Sequence, residues 1–537
     1  MYVLMSNLAV KAYFFVGLFL VALSVEAQED RIYKVPKFAE EWSKPSKHPD
    51  RIVLNFTEDP STAISVTWRT SPQVTKGYAE VALATAAPKF WRNAITVEAE
   101  TTTMDASMVE TAEVVSNYHS VTFTGLIPDT LYAYRVGNGE IWSEWVQFRT
   151  ASATPKPFSF LYVGDAQNFI LELWSRLIRE GYRKVPDASF IIHAGDLVSE
   201  AHSEQQWHEW FTAGGWIHRM LPSIPLVGNH EYEPYTAEED YNDIEHLSMQ
   251  WRPQFTLPTN GPDGLEETAY YLDYQDMRVV VLNTNEKQEI QAEWLSSVLE
   301  ESTAKWNVVT FHHPLYSASA GRDNKELRDL WKPLFDKHKV DIVLQGHDHS
   351  YARGRAPADE SQNLVDGMNA RDSLTGTVYV VSVSGGKMYR LRPDAWESLE
   401  GADRDRAAEN TQLFQVIRID GDRLSFEAYT ATGELYDAFD LVKNKKGGSN
   451  HFIDRQGEAI PERRHENTIN YRDRLPDFIR DLLMERHPGF VFDKVRYVKD
   501  FDFHGFYVEM EQYEKDIDVE IKIDISGEIL EEVIDED

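Results

Sequence analysis

The chain has 537 residues, 54 Lys and Arg against 88 Asp and Glu, a net charge of −34 and no cysteine. That charge argues against nucleic-acid binding as the main role, because contacts to a phosphate backbone need Lys and Arg. The absence of cysteine excludes disulfides and thiolate metal ligands, so any bound metal is held by oxygen and imidazole nitrogen, as suits Mn, Fe, Zn, Mg or Ca.

Residues 1–27 read as a secretory signal peptide. Lys11 is the only charge before the apolar run at 12–25, and Val25-Glu26-Ala27 places small residues at a cleavage site. The chain is therefore expected to be secreted or periplasmic, with no transmembrane segment after cleavage. Residues 50–150 carry short β runs, AISVTWRT with Trp68, YHSVTFTGL, LYAYRVG and WVQFRT, broken by the turn Pro128-Asp129. This spacing predicts an all-β sandwich. LIPDTLYAYRV resembles the tyrosine corner of fibronectin type III domains, which implies Tyr132 or Tyr134 as the corner tyrosine and Trp68 as the buried tryptophan.

ASATPKP at 151–157 is a linker by composition. From 158 to 445 strands alternate with helical stretches such as EWLSSVLEE and NKELRDLWKPLFDKH, which predicts an α/β domain. The irregular polar stretch 232–268 is long for a connection and suits a substrate-side loop. KNKKGGSN at 443–450 reads as a second linker. Residues 470–537 read as a small α+β domain, a helix over 475–486 followed by three or four antiparallel strands.

Five apolar runs end on residues that bind metals. FSFLYVGD ends on Asp165, ASFIIHAGD on Asp196, SIPLVGNH on Asn229 and His230, NVVTFHH on His312 and His313, and VDIVLQGHDH on His347 and His349. Groups that follow the carboxyl ends of strands in an open sheet collect along one edge. Two Asp, an Asn and several His gathered there form a cage large enough for two divalent or trivalent cations. Asp196 is suited to the centre, since a carboxylate with two oxygens bridges two cations.

The series GD, GDLVS, GNHE, FHHPLY and GHDHSY resembles the calcineurin-like metallophosphoesterase superfamily. With the fibronectin-like domain before it, it resembles the purple acid phosphatase branch. The resemblance covers about residues 50–445. For that stretch it implies the β sandwich followed by an α/β four-layer sandwich of two mixed sheets between helices; with the small α+β domain read at 470–537, the chain is expected to be multidomain. The resemblance implies hydrolysis of phosphate esters by a metal-bound hydroxide at a binuclear centre of Fe, Zn, Mn or Mg. Carried over by position, Asp165 and His349 bind the first metal, Asn229, His312 and His347 the second, and Asp196 bridges. His230 orients the phosphate or protonates the leaving group, and Asn229 lies on the substrate side with it.

The chain departs from that pattern at two positions. The coloured enzymes have an iron-binding Tyr three residues after the bridging Asp, where this chain has Ser199. Many other members have a His two residues after the first Asp, where this chain has Gln167. Either Gln167 supplies a carbonyl oxygen to the first metal or water fills the gap. His313 either contacts substrate or is structural, and Arg322 and Arg353 are each either phosphate clamps or ordinary arginines. Tyr351 and His193 read as packing residues, as do His202, His208 and His218 among Trp207, Trp210 and Trp216. The C-terminal stretch VEIKIDISGEILE resembles PepSY-like domains of secreted bacterial proteins, which implies a module for a protein partner; a passive appendage is the alternative. The leading functional expectation is a secreted phosphomonoesterase. The alternatives are a phosphodiesterase or nucleotide hydrolase, and an envelope binding protein with a degenerate metal site.

Overall fold

The computed structural model describes residues 42–536 except 359–371, 464–474 and several shorter internal stretches. The expected signal peptide lies outside the described residues. Among the described residues no helix is long and apolar enough to cross a membrane.

Two sheets face each other in the body of the chain. The first contains the parallel strands Phe158–Val163, Ile191–His193 and Ser223–Pro225, continued by antiparallel Leu413–Asp420, Arg423–Thr430 and Leu435–Val442. In the second, Met277–Val281, Trp306–Phe311, Ile342–Gln345 and Val378–Val381 run parallel. These strands are apolar on both faces because both faces are covered. Val279, Val281 and Leu344 join the cluster that holds Phe160 and Ile192 of the first sheet. Their neighbours Val280, Val309 and Val343 pack instead with Leu295 and Trp331, from the helices Gln288–Glu300 and Lys325–His338. Each such side chain contributes roughly 1.5–3 kcal/mol on burial, so the period-two division fixes which face meets which layer.

The body runs further than the sequence implies. Asn450–Asp454 pairs with Leu435–Val442 and with Asp372–Thr375, so the boundary expected at 445 falls inside the first sheet. KNKKGGSN is a connection between neighbouring strands, not an interdomain linker. Its first residue is anchored, with Lys443 paired to Asp341 and lying 4.4 Å from the centre of the Trp306 ring.

The N-terminal β unit encloses Trp68, fully buried, between two sheets. Tyr132 fills the corner role, its hydroxyl accepting from the Ile127 N–H at 2.9 Å. Tyr134 instead donates to the Arg219 carbonyl at 2.7 Å, across to the body of the chain. The two units also share a sheet: Asn55, at the end of Asp50–Asn55, pairs in parallel with Ser223. Beside that seam, Arg51 and Arg69 converge on Glu204. At the C-terminus the helix Asp477–Arg486 and four antiparallel strands, Val491–Lys499, His504–Gln512, Ile517–Asp524 and Ile529–Glu536, share a separate apolar cluster with Ile479, Leu483, Val508 and Ile521.

His119 makes the N-terminal unit acid-sensitive. It lies between the Thr70 and Thr101 hydroxyls at 2.8 and 2.9 Å and stacks on Trp68, and burial lowers its pKa to about 4. Above pH ~6.5 the ring is neutral in both folded and unfolded chains. As the pH falls from there toward 4, the unfolded chain takes up a proton that the folded chain refuses, so stability falls. The loss amounts to roughly 3 kcal/mol by pH 4, where it levels off. Urea midpoints at pH 7 and pH 4.5 are expected to differ less for His119→Gln than for the unaltered chain. An identical pH dependence in the two proteins would contradict this assignment.

Candidate metal centre

Both sheets deliver their parallel strands to one edge. Asp165 follows Phe158–Val163, Asp196 follows Ile191–His193, and Asn229 and His230 follow Ser223–Pro225. From the facing sheet, His312 follows Trp306–Phe311, and His347 and His349 follow Ile342–Gln345. The loops turn sharply. Asp196 has φ 50° and His347 φ 71°, conformations that non-glycine residues hold only where the surroundings impose them.

The floor of the site is buried and consists of Asp165, Gln167, Asp196, His312 and His349. Asn229, His230, His313 and His347 are partly exposed and form its mouth. His312 Nε2 lies 3.0 Å from Asp196 Oδ2, 3.2 Å from Asn229 Oδ1 and 3.2 Å from His347 Nδ1. Ligand atoms of Asp196, His312 and His347 all fall within 4.8 Å of one another. His312 Nδ1 donates to the Ala194 carbonyl at 2.8 Å and His349 Nδ1 to the Lys387 carbonyl at 2.9 Å. Such bonds from the far nitrogen fix the ring and turn the Nε2 lone pair inward, as metal-binding histidines require.

The charges call for a cation. Burial opposes ionisation of Asp196, yet the His312 imidazole beside it holds the carboxyl down at about 2. Burial likewise opposes charge on His312, and Asp196 raises its pKa to about 9. Asp165 is left over: burial, with Asp196 nearby, pushes its carboxyl well above the usual range. One imidazolium cannot balance two buried carboxylates, and a donor set of carboxylate, amide and imidazole suits hard or borderline metals. The residues present therefore fit a metal centre.

Two loops are locked by a residue whose part in the site the sequence motif does not disclose. Glu231 is fully buried and accepts from the N–H groups of Asp196, Leu197 and Gly228 at 2.9, 2.8 and 2.7 Å. It ties the Asp196 loop to the Asn229 loop. His230 is placed by two bonds: its N–H donates to Asp196 Oδ1 at 2.9 Å and its Nδ1 donates to the Ser199 carbonyl at 2.7 Å. Ser199 Oγ turns the other way and accepts from the Asn168 N–H at 3.2 Å.

The remaining candidates separate. His313 lies beside His347 at the mouth, the two rings 4.2 Å apart, with its Nδ1 2.6 Å from the Thr284 hydroxyl. Arg322 reaches the mouth, 3.4 Å from the His347 carbonyl and 3.7 Å from Asp348, over the ring of Tyr389. The Tyr389 ring lies 4.7 Å from that of His349, tilted against it, and also carries Lys387 over its face, so both are mouth residues that sequence reasoning missed. Arg353 is not a phosphate clamp: it is fully buried and bonded to Asp437 and Asp405, and Tyr351 donates to Asp437 too. His193 and His218 pack against Trp210, away from the cage.

Comparison with known proteins bears on the family of the chain. The family described as "Purple acid Phosphatase, N-terminal domain" matches residues 49–150, and "Calcineurin-like phosphoesterase" matches 158–351. Both end before the C-terminal helix and sheet, so the PepSY-like resemblance gains no support from them. An uncharacterized protein of Mycobacterium tuberculosis H37Rv is 26% identical over 384 residues, covering 62% of this chain and 68% of its own length. The Fe(3+)-Zn(2+) purple acid phosphatase 12 of Arabidopsis thaliana is 24% identical over 283 residues; the match spans 50% of this chain and 58% of that enzyme. The structure of purple acid phosphatase PPD1 from yellow lupin seeds superposes with a TM-score of 0.61 at 19% identity, covering 74% of this chain and 75% of the lupin chain. The chain thus belongs to the calcineurin-like phosphoesterases, among those that carry a purple acid phosphatase N-terminal domain.

Proposed function

We propose that this phosphoesterase is a secreted phosphomonoesterase that works with two metal ions. The observation that carries the reading is the set of potential ligand atoms, Asp196 Oδ2, Asn229 Oδ1 and His347 Nδ1, gathered about His312 Nε2 with Asp165 buried behind. Asp165 and His349 would hold one cation, Asn229, His312 and His347 the other, with Asp196 between them. Cations bound there would supply Lewis acidity and lower the pKa of water.

The chain's own residues do the positioning. The Ser199 carbonyl fixes His230 through Nδ1 and leaves Nε2 facing the departing oxygen, to which the imidazolium form would give its Nε2 proton. Arg322 and His313 stand at the mouth to take the outer phosphoryl oxygens. Monoesters are favoured because the Arg322 and Lys387 cations at the mouth match a dianion better than a monoanionic diester. Secretion rests on Lys11 and the apolar run at 12–25.

The test is hydrolysis of para-nitrophenyl phosphate and of its bis ester after loading with Mn(II), Zn(II) or iron. Asp196→Asn is expected to lower monoester kcat/KM on the order of 10³-fold, as loss of a central electrostatic group does. Faster turnover of the bis ester would make the chain a phosphodiesterase. Bound metal with no turnover of either ester would favour the binding-protein alternative.

A further inference from the structure

We propose that Gln167 supplies a neutral oxygen ligand at the first metal position, an inference that rests on the metal centre argued above. Gln167 lies two residues past Asp165 and is 1% exposed. Its amide ends 3.0 Å from Asp196 Oδ2 and 3.0 Å from His349 Nε2. The NH2 end occupies that place, while Oε1 is buried without a hydrogen-bond partner. The two ends of an amide differ only in their hydrogen bonding, and a buried oxygen left unpaired costs roughly 1–3 kcal/mol.

Turning the amide over exchanges the two ends. Oε1 then stands beside Asp196 Oδ2 and His349 Nε2. His349 Nδ1 already donates to the Lys387 carbonyl, so its Nε2 offers a lone pair. Three lone-pair atoms pointing at one spot repel one another unless a cation lies between them. The spacing also fits, because ligands about 2.1 Å from one ion and at right angles to each other lie about 3.0 Å apart. An NH2 group in the same place fits less well: once His349 gives its lone pair to a metal, the amide loses one of its two acceptors.

The consequence is metal choice. Ser199 Oγ is engaged with the Asn168 N–H, so this position adds no anionic oxygen to the first metal. An amide oxygen there selects hard divalent ions such as Mn(II) or Mg(II) over iron(III), which an anionic oxygen would stabilise.

The experiment is equilibrium Mn(II) binding to the full chain, followed by electron paramagnetic resonance of free Mn(II), with circular dichroism as the check on folding. The unaltered protein is expected to bind two equivalents. Gln167→Ala is expected to keep one and to weaken the other at least about 10-fold. Gln167→Glu keeps an oxygen in place and removes the NH2, so it is expected to bind two equivalents at least as tightly as the unaltered chain. Weakening by Gln167→Glu as large as that by Gln167→Ala would show that the NH2 is what matters and overturn the proposal. So would two unchanged equivalents in Gln167→Ala. If the unaltered chain binds no metal at all, the metal-centre reading falls first and this inference with it.

Discussion

Gly228→Ala is expected to lower monoester kcat/KM by at least about 100-fold while leaving the chain folded. A Cβ at position 228 would lie 2.2 Å from Asp196 Oδ1, 2.7 Å from the Asp196 nitrogen and 2.8 Å from His312 Cε1. These contacts are far inside van der Waals distance, so the central carboxylate has to move. That carboxylate is held by His312 Nε2 at 3.0 Å and by the His230 N–H at 2.9 Å, so moving it disturbs both contacts. Gly228 itself has φ −99°, which alanine adopts without strain, so the effect is one of space at the site and not of backbone conformation. A displacement of about 1 Å in a reacting group costs roughly 10²-fold in rate. Metal analysis of the purified variant alongside its kinetics is the measurement. Activity within about threefold of the unaltered chain would show that Asp196 is not central, since no well-packed carboxylate tolerates that collision.

The contrast with Gly195 shows why the strand-end motifs could be read directly. Gly195 has φ 85°, and a Cβ there would meet His312 Nδ1 at 2.6 Å and Gly228 N at 2.8 Å. Glycine directly before Asp165, Asp196, Asn229 and His347 lets loops from different strands approach until their ligands share one space. That requirement is local, so it leaves a trace in the chain: an apolar run, a glycine or two, then Asp, Asn or His. The faces of the second sheet were not legible in that way: Val279, Val280 and Val281 are alike in sequence, and only the period of the strand divides them between two cores.

What the sequence did not disclose depends on contacts between distant segments. Tyr389 reaches the mouth because its N–H donates to the His349 carbonyl at 2.7 Å, forty positions back along the chain. Glu231 stands in a recognisable motif, but its three N–H partners come from two loops and have no periodic signature. Arg353 looked like a possible clamp because it follows His349 closely. Its strand, Tyr351–Arg355, instead carries it to Asp437 inside the protein. The sheet seam at Asn55 and Ser223 was hidden by the 151–157 linker, whose composition marks a break in chain direction without saying whether the units remain joined.

That seam is the site of the largest expected stability effect. Glu204→Gln is expected to destabilise the chain by about 3–5 kcal/mol. Glu204 opens the helix Glu204–Gly214, and its Oε2 accepts from Arg51 at 2.5 Å and from Arg69 at 2.7 Å. Both arginine side chains are 0% exposed, so neither charge is balanced by water. Arg69 has a second partner, bonding Asp50 through two nitrogens at 2.8 and 2.7 Å. Arg51 has none of that kind; its other partners are the Tyr118 hydroxyl, Gln254 Oε1 and the Glu204 carbonyl, all neutral. Removing the Glu204 charge therefore strands one buried cation, and the cost is mainly that of the unpaired Arg51. The expected result in urea is a lower midpoint with an unchanged slope. The double variant Arg51→Met with Glu204→Gln removes both members of the pair and leaves Arg69 with Asp50, so it should recover most of the loss. If the double variant is no more stable than Glu204→Gln alone, the stranded charge is not the cause, and the seam is held by its backbone pairing and apolar contacts instead.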